Sequence, residues 1–554
     1  MKLKIASVFL ILTFVITACY GQQVITSDTI VRQHEVMPTG QDDGELTLSQ
    51  RINNGFVPIV RFMSKVLFFD PFSATGLYDP VIYDDQGKAV TDIEGQPRKS
   101  PIPLIVMWLI VGALFFTIYL KFINIRGFKH SIQVVRGKYD NPQDAGEVSH
   151  FQALATALSA TVGLGNIAGV AIAITLGGPG ATFWMIIAGF LGMSSKFVEC
   201  TMGVKYRNIN ADGTVSGGPM YYLSKGLKKR NLGGLGKVLA AIFAVLVIGG
   251  SFGGGNMFQA NQSFSQVAYI IPSVSNYGAW YGIILAILVG AVIIGGLKSI
   301  ANVTDKIVPF MAVLYVSVAL VIILINWRDT PSAFRLIIDG AFAPGALKGG
   351  IIGVLIVGFQ RAAFSNEAGV GSAAIAHSAV KTQEPVSEGY VALLEPFIDT
   401  VVICTMTALV LIFTEMHNNP LGLEGSALTS EAFKTILPWF PYLLLLAIFL
   451  FAFSTMISWS YYGLKGFDYL FGRSIERLTG NRKISDNIFR VLFLFFIVVG
   501  SASQLGAVVD FSDMMILAMA FPNFLGLLIM APEIKRDVKD YIRRVKSGEI
   551  KKYK

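Results

Sequence analysis

One apolar stretch of the chain contains Thr161-Val162-Gly163-Leu164-Gly165-Asn166-Ile167-Ala168-Gly169, and a second contains Glu367-Ala368-Gly369-Val370-Gly371-Ser372. Each interrupts a segment otherwise apolar enough to cross a membrane. Backbone polar groups cannot be left unpaired in hydrocarbon, so an irregular stretch at that depth must be buried in protein or line a polar cavity. At one position alone, glycines are explained equally well by close helix packing. Interruptions in corresponding places of two halves instead mark the central binding site of a carrier built from repeats.

Composition fixes the class. With 53% hydrophobic and 15% charged residues and a mean hydropathy of +0.58, the chain reads as a polytopic membrane protein rather than a soluble globular one. Its net charge of +9 falls in short clusters between apolar spans, a mark of membrane topology and not of a nucleic-acid partner. Three cysteines with no CxxC or Cys/His ligand spacing argue against disulfides and zinc.

The start, Met1-Lys2-Leu3-Lys4 followed by an apolar run to Ala18 and Cys19-Tyr20-Gly21, has the pattern of a signal peptide over residues 1–21. Ile16-Thr17-Ala18-Cys19 also resembles a bacterial lipobox, in which Cys19 is lipidated. Cleavage near Gly21 and an uncleaved anchor are the alternatives. All three place residues 22–102 outside, as an extracytoplasmic segment.

Apolar spans of about 20 residues are read near 103–120, 151–178, 180–204, 238–262, 278–297, 307–326, 349–376, 390–413, 438–463, 489–508 and 512–531. This gives about eleven spans in a transmembrane domain over 103–531, followed by a basic tail, 532–554. Lys and Arg concentrate in alternate loops, at 121–149, 205–237 and 465–490, and are sparse at 267–277 and 415–435; loop 328–348 is a partial exception. The positive-inside rule therefore puts the mature N-terminus outside and the C-terminus in the cytoplasm, across a bacterial inner membrane. Setting the first span aside leaves two sets of five, about 150–327 and 349–531. An odd-numbered repeat inserts in opposite orientations, so the two breaks fall in the first helix of each inverted repeat.

Six segments resemble one family: Thr156-Ala157-Leu158-Ser159-Ala160 running into the first break, Gly177-Gly178-Pro179-Gly180-Ala181-Thr182-Phe183-Trp184-Met185, Ser216-Gly217-Gly218-Pro219-Met220-Tyr221-Tyr222, Gly358-Phe359-Gln360-Arg361-Ala362-Ala363-Phe364-Ser365-Asn366-Glu367-Ala368-Gly369, Glu395-Pro396-Phe397-Ile398-Asp399-Thr400 and Ser454-Thr455-Met456-Ile457-Ser458-Trp459-Ser460. Together they are similar to the sodium:alanine (alanine or glycine:cation) symporters of bacteria, over roughly residues 103–531. Ile186 stands where that family usually has a second Trp, and the segment before 103 is longer than usual. The resemblance implies an all-α, LeuT-like 5+5 inverted-repeat core with one extra N-terminal transmembrane helix. It also implies a secondary active transporter, not an enzyme, that imports alanine or glycine with Na⁺ by alternating access and needs no cofactor.

The residues of the breaks suit that chemistry. A zwitterionic amino acid stripped of water needs donors for its carboxylate and acceptors for its ammonium. Unwound helix ends supply both, with Thr161, Gly163, Leu164, Gly165 and Asn166 as candidate substrate contacts. Glycine allows close backbone approach. The second broken helix offers Ser365, Asn366, Glu367, Gly369 and Gly371. Asn256, Gln259 and Gln262 recur at three-residue spacing on one helical face; they would hold substrate or join helices. Sodium takes several uncharged oxygens. In transporters this chain resembles, a Ser/Thr pair on the third helix of the second repeat meets carbonyls of the first broken helix. That assigns Ser454 and Thr455, with carbonyls near Thr161 and Leu164, to Na⁺. Trp459, one turn beyond Thr455, would wall the pocket and restrict the substrate to a small side chain, or pack within the bundle.

Ionisable residues inside spans are costly and so draw attention: Glu199, Arg361, Glu367, Glu395 and Asp399. Arg361 and Glu367 are expected to tie the broken ends to neighbours; Glu395 and Asp399, four apart on one face, would form a proton relay or serve gating or structural pairing, one of them with Arg361. The five histidines (His34, His130, His150, His377 and His417) fall in the external segment, loops or span ends, which argues against a His-based proton path. A proton-coupled carrier of the same fold is the alternative reading. An intramembrane enzyme or a channel is a weaker one, since no nucleophile-and-base pattern occurs and no P-loop indicates primary transport.

Overall fold

The computed structural model describes residues 48–77, 79–81, 89, 101–141, 143–210, 213–343 and 350–553. The signal-peptide and lipobox expectations at 1–21 lie outside them. Among the described residues the fold is all-α apart from a two-residue hairpin pairing Asn208–Ile209 with Val215–Ser216 and isolated bridges such as that between Val148 and Val380.

An amphipathic helix, α1 (Leu48–Leu67), comes first, then α2 (Leu104–Tyr119). The next five segments run in order. They are a broken pair α3 (His150–Thr161) and α4 (Ala168–Gly177), then α5 (Gly180–Lys205), α6 (Gly233–Ile270), α7 (Gly278–Ile293) and α8 (Gly296–Ile325). The second five repeat the plan: a broken pair α9 (Gly350–Asn366) and α10 (Ala373–His377), then α11 (Pro385–Phe413), followed after a short helix α12 (Gly425–Ile436) by α13 (Phe440–Phe467), α14 (Lys483–Ala502) and the bent pair α15 (Leu505–Ala518) and α16 (Ala520–Ser547). Among the described residues eight helices are long and apolar enough to cross a membrane, and α2, α4 and α9 are shorter apolar helices.

The breaks arise where the sequence stops supporting regular helix. At the first, Val162 leaves the α region at φ −73°, ψ 87°. At the second, Glu367, Gly369 and Gly371 take φ of +55°, +92° and +90°, a region glycine enters without steric cost. Two unbroken helices bulge instead of breaking: Gly253–Met257 in α6 and Phe397–Cys404 in α11 are π-helical, a local geometry that recurs at functional sites.

Small residues bring these elements close. A Cβ on Gly255 would lie 2.2 Å from Trp459 Cγ, and one on Gly180 would lie 2.2 Å from the Gly340 carbonyl carbon. The α5 helix packs along α9 and α11, and α6 packs along α13, so both breaks sit inside the bundle. α1 docks on α15 through Phe56 and Phe511, ring centroids 5.5 Å apart, and through Asn53 Oδ1, which accepts the Gln504 N–H at 2.8 Å.

Candidate binding site at the paired helix breaks

Unwinding strands the backbone groups that a continuous helix would pair, and side chains take over part of the task. In the first break Asn166 Oδ1 accepts the Gly163 N–H at 2.9 Å, and Gln259 Oε1 accepts the Leu164 N–H at 3.2 Å. Thr407 and Thr429 donate their hydroxyls to the Asn166 and Ile167 carbonyls at 2.8 and 3.2 Å. The Leu164 carbonyl accepts the N–H groups of Ile167 and Gly169. Among the described residues no hydrogen bond reaches the carbonyls of Ala160, Thr161 and Val162. Consecutive unpaired carbonyls at an unwound helix are suited to a cation.

In the second break, Glu367 is the one non-glycine residue there in the left-handed region. Its carboxylate is held on both oxygens, by Trp459 Nε1–H at 3.0 Å and by the Ser372 hydroxyl. Asn523 donates to the Gly369 carbonyl at 2.8 Å and to Glu199 at 2.7 Å, and accepts the Tyr222 hydroxyl. Glu199 thus braces this break through Asn523.

The two breaks touch each other. A Cβ on Gly165 would lie 3.3 Å from Ser365 Cα. Asp399, fully buried on the π-helical part of α11, accepts hydrogen bonds from Asn166 Nδ2, the Ser365 hydroxyl and the Thr400 hydroxyl, each at 2.7 Å. One carboxylate therefore fastens both breaks to α11. Asn366 adds a bond to Thr400 at 2.8 Å.

The third wall is α13. Thr455 Oγ1 donates to the Ser159 carbonyl at 3.0 Å, Ser159 Oγ donates to the Ser454 carbonyl at 2.8 Å, and Ser458 Oγ donates to Ser159 Oγ at 3.0 Å. A Cβ on Gly163 would stand 2.5 Å from Thr455 Oγ1 and 3.3 Å from Gln259 Oε1, so Thr455 and Gln259 pack directly against the Gly163 backbone. Ser454 turns its hydroxyl to the Phe451 carbonyl and Met311, and Thr161 turns its hydroxyl to its own helix. What Thr161 offers at the break is its carbonyl. Trp459 packs on Gly255 and reaches across to Glu367.

The three amides of α6 part company, each meeting a different neighbour. Gln259 stays at the break, with its Nε2 on the Gly254 carbonyl at 2.9 Å. Asn256 bonds the Phe493 carbonyl of α14 at 2.6 Å, and Gln262 accepts the Ser426 N–H of α12 at 2.9 Å. Ser159 and Ser458 were missed by the sequence reading, although the place of Ser458 one turn beyond Thr455 was a usable signal.

One expectation is corrected. Arg361 pairs with neither Glu395 nor Asp399. It is buried against Asp513 of α15, which also accepts Gln360 Nε2–H at 2.8 Å, and its guanidinium lies 5.4 Å from the centroid of the Phe364 ring. Glu395 instead meets Lys196 at 3.0 Å and His377 at 2.5 Å. His150 and His377 do lie at helix ends, as the first residue of α3 and the last of α10, and both are buried there.

The sodium:alanine symporter family model matches residues 89–554. The chain is 39% identical over 455 residues to the sodium/alanine symporter AgcS of Methanococcus maripaludis, covering 81% of this chain and 96% of that protein. It is 39% identical to an uncharacterized transporter of Haemophilus influenzae, over 80% and 94% of the two chains. It is 34% identical to the probable sodium/glutamine symporter GlnT of Bacillus subtilis, over 80% and 89%. With two broken helices joined through Asp399 and a match over most of its length, the chain belongs to the sodium:alanine symporter family.

Proposed function

We propose that this transporter carries a small neutral amino acid, alanine or glycine, inward with Na⁺, across a bacterial inner membrane with its C-terminus in the cytoplasm. The observation that carries the reading is the close approach of Gln259 and Thr455 to Gly163 beside the unpaired carbonyls of Ala160, Thr161 and Val162. The substrate carboxylate takes the N–H groups of the first break, where Gly163 and Leu164 now bond side-chain amides that a ligand can replace. Na⁺ takes the Thr161 carbonyl and Thr455 Oγ1, with Leu164 and Ser454 completing the set; the Leu164 carbonyl must then release an N–H of Ile167 or Gly169, and Ser454 must turn from Phe451. These oxygens are neutral, as suits an alkali cation held without a titrating group. The family and the names of its relatives support amino-acid and Na⁺ transport in general terms.

Trp459 limits substrate size. It is 1% exposed, is fixed by Glu367 and lies one turn beyond Thr455. Trp459→Ala is expected to strengthen inhibition of labelled alanine uptake by leucine-sized neutral amino acids by about tenfold or more, measured as competition curves in proteoliposomes. An unchanged order of competitors would remove Trp459 from the specificity argument.

A further inference from the structure

Away from the breaks lies a second buried polar assembly that substrate and Na⁺ binding do not use. Lys196 Nζ of α5 meets Glu395 Oε2 of α11 at 3.0 Å, and Glu395 Oε1 meets His377 Nε2 of α10 at 2.5 Å. His377 Nδ1 meets Glu388 Oε1 of α11 at 2.5 Å, and Glu388 Oε2 meets His150 Nδ1 at the start of α3. Lys196, Glu395, His377 and Glu388 are fully buried, and His150 is 2% exposed. The last link, His150 Nε2 to Asp140 Oδ1 at 3.8 Å, reaches a side chain that is 37% exposed.

Counting protons makes this assembly informative. A neutral imidazole has one N–H and one lone pair, yet both ring nitrogens of His377 face carboxylate oxygens. The arrangement is satisfied only when the ring is doubly protonated or one of the two carboxyls is protonated. Either way the triad holds one proton beyond a neutral ring between two carboxylates. Charge balance agrees: with Lys196 charged and that proton in place, the two glutamates are neutralised, as burial requires. A charged His150 would balance the charge but would not supply the N–H that the second oxygen needs. The same groups count against a metal. Cys200, His377 and Glu395 lie within 4.8 Å of one another, but both nitrogens of His377 and both oxygens of Glu395 are already engaged.

We infer that His377, Glu388 and Glu395 form a proton-binding site, connected through His150 and Asp140 to the basic face of the protein, that fastens the broken helices to α11 on that face. The proton enters from solvent by way of Asp140 and His150 and leaves by the same route. Other groups facing the triad are Lys196, Glu199 and Cys200 from α5, Arg207 beyond its end, Glu367 from the second break and Tyr462 from α13. The fastening lies beside a backbone latch. The Glu147 N–H donates to the Ala379 carbonyl at 2.7 Å, and the Lys381 N–H donates to the Val148 carbonyl at 2.8 Å. Arg207 donates to the carbonyls of Ala145, Ser378, Val380 and Thr382 on both strands of the latch. When the triad loses its proton, two carboxylates share a single N–H, and repulsion loosens α10 and α3 from α11. Opening of the basic face is then easier, so uptake rises with pH.

The test is initial-rate uptake of labelled alanine under a fixed Na⁺ gradient, with pH equal on both sides of the proteoliposome and stepped from about 6 to about 9, the range in which perturbed imidazole sites titrate. The wild type is expected to follow a one-proton curve, rising by at most about tenfold per pH unit. Glu388→Gln, which removes the need for the extra proton, is expected to flatten it. A flat wild-type curve, or an unchanged slope in a folded Glu388→Gln protein, overturns the proposal. Because a misfolded variant would imitate the loss, the wild type is also read directly by histidine ¹⁵N NMR and carboxyl infrared spectra at neutral pH. A doubly protonated ring or a protonated buried carboxyl is expected, and finding neither overturns the proposal. The spectra need no transport, so their outcome is independent of the proposed substrate and coupling ion.

Discussion

Lys196→Met is expected to destabilise the protein by about 3–5 kcal/mol, because removing one partner of a buried pair leaves the other charge uncompensated. Lys196 is fully buried on α5, and its Nζ is 3.0 Å from Glu395 Oε2. Glu199 and Glu367 lie in the same electrostatic neighbourhood, so the lost cation leaves an acidic cluster offset only by the proton held at His377, Glu388 and Glu395. The double variant Lys196→Met/Glu395→Gln is expected to regain much of the loss, since both charges then disappear together. Thermal unfolding in detergent, read as the fraction remaining monodisperse, checks both. A single variant as stable as the wild type would show that the pair contributes nothing to holding α5 on α11.

Gly163→Val is expected to lower uptake by about 100-fold, the scale of loss when a binding geometry is displaced by an ångström, while the protein still folds. The β-carbon alone would stand 2.5 Å from Thr455 Oγ1 and 3.3 Å from Gln259 Oε1, so the break or α13 must move apart. Overpacking of this kind costs about 1–3 kcal/mol, less than a bundle of this size needs to unfold. Adding Thr455→Gly is expected to restore stability without restoring uptake, because the space reopens but the hydroxyl is gone. Recovery of full uptake in that pair would separate Thr455 from the coupling ion and leave it a packing residue.

These two residues also show how far the sequence carried. Gly163 was legible because a Gly-rich run inside an apolar span breaks a rule of backbone pairing that hydrocarbon enforces, and its counterpart at Gly369 and Gly371 broke it again. The two sets of five helices followed from span counting and loop charge. Lys196 was not legible. It lies in Ser194-Ser195-Lys196-Phe197-Val198-Glu199, inside the span read at 180–204, yet no pattern singled it out, and its partner Glu395 is far away in the chain. His377 was hidden for the same reason: only folding brings it between Glu388 and Glu395. The amides of α6 show a different limit. Three-residue spacing put Asn256, Gln259 and Gln262 on one face, but the neighbour that each amide meets, Phe493 for Asn256 and Ser426 for Gln262, comes from a distant segment of the chain. Asp399 was noticed as costly, yet its role in joining Asn166 and Ser365 depends on contacts between distant segments.

Uptake of radiolabelled alanine into proteoliposomes tests the central claim most directly, with an inward Na⁺ gradient set against an equal K⁺ gradient and against a proton gradient, in the wild type and in Thr455→Ala. Accumulation driven by Na⁺ alone, and lost in Thr455→Ala while the variant remains folded, is the predicted result. Accumulation driven equally well by protons, or by no gradient at all, would contradict Na⁺ coupling at the first break.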